Sequence, residues 1–146
     1  MNFYDSTRPK LIPAGAHACL YFDGRYAATK QDAKRFAAVR WITVLGNHRD
    51  CGVADYEAGN EIYAKAGALR AWVKGRMNMH TRARVYCDRA NLPKVREHLE
   101  GLEYLVWLAT LDGEKLSPGY TPGLWGVQFA GGETAPYDTS VLYGVW

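Results

Sequence analysis

The chain contains no apolar run of about twenty residues, so no helix is expected to cross a membrane. Its opening stretch, MNFYDSTRPK, lacks the basic segment followed by an apolar one that marks a secretory leader, which leads to an expectation of cytoplasmic synthesis. Cysteine is sparse: Cys19, Cys51 and Cys87 are odd in number, widely spaced and form no C-x-x-C pair. Each lies in an apolar stretch, so each is read as a buried, reduced thiol. His17, His48, His80 and His98 lack the short paired spacing of a structural zinc site, and neither a metal nor another cofactor is expected. His48 and Cys51 would not both aim inward at this spacing, so no Cys–His nucleophile is read there. There is no Gly-x-Gly-x-x-Gly turn and no Gly-Lys-Ser/Thr loop, which removes the main support for a nucleotide-binding sheet. Repeats and low-complexity linkers are missing too, so residues 1–146 are expected to form one domain.

Aromatic residues are plentiful. Five Trp, ten Tyr and four Phe make up 13% of the 146 residues, accompanied by 15 Gly. That mix suits a loop-rich β-containing enzyme or a sugar-binding domain better than a helical bundle. The net charge of +3 is too mild to imply nucleic acid. Its distribution is uneven: between Glu61 and Asp88 the bases Lys65, Arg70, Lys74, Arg76, Arg82 and Arg84 meet no acid. Two readings are open for that stretch, the solvated face of a helix running into the next strand, or a patch for an anionic partner.

Apolar patterning predicts strands over 17–22, 41–45, 52–56, 83–87 and 104–109, with helices over 31–39, 60–74 and 91–99 between them. Thr29 is a predicted helix cap with Asp32 three residues on, Asn60 a second cap, and Pro93 falls in a first turn that tolerates it. Beyond residue 109 the helical pattern stops, and strands are predicted over 124–130 and 140–146. Repeated strand–helix units with continuous apolar strands imply a mainly parallel sheet. Both a (β/α) barrel and an open doubly wound sheet fit that order.

Ligand sites in such folds lie at the C-terminal ends of strands. Acids, an amide and aromatics recur at those ends: Asp23, Asp55 and Glu57, Tyr86 and Asp88, Trp107, Gln128 and Asp138. Asp55 and Glu57 form the sharpest pair. On an extended strand, residues two apart project to one side, about 6–7 Å apart along the strand. Two carboxyls sharing a pocket cannot both ionise cheaply, which leaves one as an acid and the other as a charge stabiliser, base or nucleophile. Glycoside hydrolysis uses such a pair.

Taken in order, the strand ending in Asp23, the Asp55-Tyr56-Glu57 strand, VYC over 85–87, LVWLA over 105–109, GVQFA over 126–130 and YDTSVLY over 137–143 resemble the glycoside hydrolase family 25 lysozymes, which are N-acetylmuramidases. They resemble still more the glycoside-hydrolase-like barrel proteins of actinobacteria and their phages. The resemblance implies a trimmed or distorted TIM-like (β/α) barrel, with βα units followed by helix-less terminal strands. It implies Glu57 as general acid, Asp55 as its neighbouring carboxylate and Asp23 as the first-strand carboxylate. It also implies Tyr86, Trp107, Gln128 and Asp138 around a sugar cleft. The expected activity is a muramidase-like glycosidase acting on peptidoglycan-type glycan at a host cell wall. The alternative is a catalytically inactive barrel that binds glycan or a host protein. Asp23-Gly24-Arg25 departs from the family's Asp-x-Ser, and 146 residues is short for eight strands and their helices.

Overall fold

The computed structural model describes residues 1–110, 112–132 and 135–146. Eight strands close into a barrel in which each strand lies beside its sequence neighbours: β1 (Asn2–Asp5), β2 (His17–Tyr21), β3 (Ala38–Thr43), β4 (Val53–Asp55), β5 (Arg84–Asp88), β6 (Leu105–Ala109), β7 (Leu124–Ala130) and β8 (Asp138–Leu142). Strands β1 to β7 run parallel, and β8 is antiparallel to both β7 and β1, making the sheet mixed.

Of the two architectures that fit the strand–helix order, the closed barrel is the one formed. The ring of helices that a TIM-type (β/α) barrel carries is a different matter. Among the described residues the α-helices are α1 (Lys30–Ala33), α2 (Glu61–Ala64), α3 (Ala68–Asn78) and α4 (Leu92–His98), following only β2, β4 and β5. The connection after β3 spans only 44–52, and the one after β6 carries Gly113, Pro118, Gly119, Pro122 and Gly123, which do not sustain a helix.

Local chemistry accounts for most of the remaining differences. The predicted helix over 31–39 stops at Ala33, because the apolar residues from Ala38 onward pair with β2 instead. Its cap forms as read: Thr29 Oγ1 accepts from the Asp32 backbone N–H at 3.1 Å, and the Asp32 carboxylate accepts from the Thr29 N–H at 2.9 Å. The predicted helix over 60–74 is two helices, broken at Gly67, whose φ of 76° lies in the left-handed region. Strand β1 was not anticipated, and it supplies the first stave of the barrel.

Side chains alternate across the barrel wall. Phe3, Cys19, Ile42, Val53, Trp107 and Trp125 fill the interior. On the outside, Trp72, Val73 and Val95 from α3 and α4 cover Val85, Val106 and Val127, while Ile12 and Phe36 cover Ala18 and Leu20. Strands buried on both faces read as continuous apolar runs, which is the pattern the sequence displays. All three cysteines are buried and free. Burial pushes the Cys51 thiol up to about 12, consistent with an inert side chain.

A carboxylate cluster at one end of the barrel

At the C-terminal ends of the parallel strands the inward positions become polar. The sequence Phe3-Tyr4-Asp5 turns Phe3 and Asp5 to the same side, so Asp5 follows Phe3 into the barrel. Asp138 of β8 stands directly opposite Asp5 in the antiparallel β1–β8 ladder. Like charges in that register repel. Asp5 is 5% exposed and one of its carboxylate oxygens, Oδ1, has no hydrogen-bond partner. Burial first, then the charges of Asp138, Asp55 and Glu57, hold its carboxyl well above the usual carboxylate range.

Asp55 ends β4 and is equally enclosed. Its Oδ2 accepts a hydrogen bond from the Tyr21 hydroxyl at 3.2 Å, and its Oδ1 is unpaired. Asn60 does not close the end of α2 with its side chain but donates it to the Asp55 backbone carbonyl at 3.1 Å, fixing the turn after β4. Burial and the charge of Glu57 raise the Asp55 carboxyl to about 8, against the pull of Asn60 and Tyr21. Glu57 is half-buried just beyond the strand. Its carboxyl is raised as well, by burial and then by Asp88 and Asp138, with Tyr86 opposing. Asp55 and Glu57 titrate as a pair, with the more enclosed Asp55 the better holder of a proton.

Asp138 is half-buried, and its Oδ1 accepts from the Gly132 N–H at 2.8 Å. Burial raises its carboxyl too, against the pull of that bond. A side chain at Gly131 would collide with the Asp138 carboxylate. Gln128 is buried beside a cavity of about 320 Å³ bordered by Gly113, Phe129 and Gly132, and its Oε1 has no partner. Tyr86 pairs in register with Asp55 on one side and Trp107 on the other, and its ring packs edge-on against Trp107 at 4.7 Å. Asp88 caps the start of the next segment, accepting from the Asn91 N–H at 2.7 Å.

No family model, curated protein or solved structure matches the chain.

The structure therefore gathers Asp55, Glu57, Tyr86, Gln128 and Asp138 at one barrel end, and separates two expected members from them. Asp23 does not occupy the first-strand position. It braces the end of β3, accepting from Thr43 Oγ1 at 2.5 Å and from the Val44 N–H at 2.8 Å. Trp107 lies in the core at 1% exposure, its Nε1 donating to Ser140 Oγ at 2.9 Å, and it cannot face a sugar cleft directly. Tyr56, which lies between the two acids in sequence, points away from them onto Tyr63 at 4.8 Å. Asp5, Tyr21 and the exposed Tyr26, whose ring lies 6.3 Å from that of Tyr21, are members that sequence reasoning missed. The inward alternation of Phe3 and Asp5 was the available signal. Among the described residues no three His, Cys, Asp or Glu side chains converge closely enough to hold one metal ion. A cavity of about 690 Å³ lies at the other barrel end beside Arg82, Arg96 and Tyr104.

Proposed function

We propose that the carboxylate end of the barrel is a glycoside-cleaving site of muramidase type, acting on peptidoglycan-type glycan. One observation carries the reading: four inward or rim carboxyls, Asp5, Asp55, Glu57 and Asp138, gather at one barrel end, Asp5 and Asp55 buried, with no basic residue ion-paired to any of them among the described residues, an enclosure that raises the proton affinity of each. Structural ion pairs lower carboxyl pKa values, whereas acid catalysis near neutral pH needs them raised. Glu57, the member that reaches the rim, donates its proton to the glycosidic oxygen as the bond to the sugar breaks. The carboxylate left behind stabilises the oxocarbenium-like carbon until a water molecule bonds to it and returns a proton to the cluster. Tyr26 and Tyr21 supply aromatic faces for the sugar C–H surface, and Gln128 supplies a polar anchor.

Glu57→Gln removes the transferable proton while keeping shape, and turnover of purified wall glycan, read as released reducing ends, is expected to fall by about 10²–10⁴-fold. Unchanged turnover in that variant overturns the assignment.

A second reading, an inactive barrel that binds glycan or a host protein, draws support from the enclosure of Asp55 and from the small cavity beside Gln128. It predicts no turnover by the wild-type protein, with glycan binding that is lost in Tyr26→Ala.

A further inference from the structure

The end of the barrel opposite the acids has the reverse chemistry. Arg40 of β3 and Arg84 of β5 turn inward there, and Arg76 of α3 reaches over from outside. All three border the same small space: at Gly52 the position a Cβ would take lies 3.8 Å from an Arg76 guanidinium nitrogen and 3.9 Å from one each of Arg40 and Arg84. Arg84 is 7% exposed. The Nε atoms of all three are buried and unpartnered.

Their other donors are poorly used. Arg76 Nη1 donates to the His48 carbonyl at 3.0 Å, and Arg84 Nη1 makes a long contact of 3.5 Å to the Arg82 carbonyl. The described ion pairs, Lys65–Glu61, Arg89–Asp112 and Arg89–Glu114, leave these three arginines without a carboxylate. Aromatic faces give partial compensation: the Arg84 guanidinium lies 5.0 Å from the Trp125 ring, and that of Arg40 lies 5.4 Å from Trp146. Buried charges are normally paired, and breaking such pairing is costly, so three cations around one space call for an anion. Burial and mutual repulsion bring the Arg84 guanidinium down to about 10, the direction expected of a cation lacking a counter-charge.

We propose that Arg40, Arg76 and Arg84 form a binding site for a phosphate-class oxyanion, distinct from the carboxylate cluster at the other barrel end. Three guanidinium groups approaching from two strands and a helix suit a tetrahedral ion, which offers oxygens in several directions, better than a planar carboxylate, which fits a single guanidinium fork. Gly52 keeps the space open. Arg40, Gly52 and Arg76 are partly exposed, so the site communicates with solvent.

Calorimetric titration with inorganic phosphate at neutral pH, with ionic strength held constant by sodium chloride, is expected to give saturable one-site binding. The unfolding midpoint should rise with phosphate and not with chloride. Arg84→Met fills the same interior space without charge and is expected to weaken binding at least tenfold. Arg40→Gln, at a more exposed position, should do the same and serves if the first variant does not fold. Gly52→Ala keeps all three arginines and meets them at ordinary contact distance, so it should weaken binding while leaving the phosphate-free midpoint unchanged. Parallel titration with glycerol phosphate tells a free ion from a carried phosphoryl group; binding of phosphate alone or of both supports the site. Absence of saturable phosphate binding overturns the proposal, as does binding that persists undiminished in Arg40→Gln and Arg84→Met. So does a single-stranded oligonucleotide that binds more tightly than phosphate with a steep salt dependence, which would make the surface one for a polyanion.

Discussion

Asp55 carries a consequence for stability that can be separated from turnover. Burial raises its carboxyl to about 8 in the folded protein, while an unfolded chain releases the proton near the ordinary carboxylate value of about 4. The folded state therefore binds more protons between these limits. The stability from this group is fully present below about pH 4 and is lost as the pH rises to about 8. Asp5 acts in the same direction. Asp55→Asn replaces the titrating group by a neutral one of the same shape. It is expected to raise the unfolding midpoint at pH 8 by about 4 °C or more and to change it little at pH 4, which is measured by thermal denaturation across that range.

Among the elements, β6 and β8 are linked across the barrel interior, because the indole N–H of Trp107 donates to Ser140 Oγ at 2.9 Å and both residues are buried. Ser140→Ala leaves that N–H with no partner in a dry core. The variant is expected to lose about 1–3 kcal/mol, read by denaturant unfolding. The strands were legible where apolar runs were buried on both faces: β7 spans Leu124–Ala130 as predicted, and β5 is displaced by one residue. The Thr29 cap and the first-turn place of Pro93 were legible because each depends on the chain within one helical turn. Strand β1 was hidden because its four residues include only one fully apolar inward side chain, Phe3, too few for a periodic signal. Its loss displaced the first-strand acid from Asp5 to Asp23. The long basic stretch also divided in a way that spacing alone did not reveal. Arg70 ties α3 to the His98 and Glu100 carbonyls, Arg84 turns inward, and Lys74 and Arg82 remain in solvent.

For the molecule as a whole, the barrel axis separates acidic from basic side chains. Asp5, Asp55, Glu57 and Asp138 gather at one end, and Arg40, Arg76 and Arg84 at the other, with Phe3, Trp107 and Trp125 stacked between them at ring separations of 5.0–6.2 Å. Neither end neutralises the other directly, since the intervening layer is apolar and holds the two groups apart. This is why a modest formal net charge of +3 conceals an acidic end and a basic end. The uneven run of bases pointed to one pole, and the D-x-E spacing to the other, but their opposition along one axis depends on closure, which no local pattern encodes.

Closure has its own consequence. Seven of the eight seams join strands consecutive in sequence, and the eighth pairs Asn2 with Val141 and brings the Leu142 N–H to the Met1 carbonyl at 2.8 Å. The path of the chain is therefore nearly a ring, interrupted at a seam whose two sides already touch. A circular permutant joined there by a short Gly/Ser linker and opened in the exposed 117–120 loop keeps every seam intact. It is expected to fold to a barrel with the same near-ultraviolet circular dichroism.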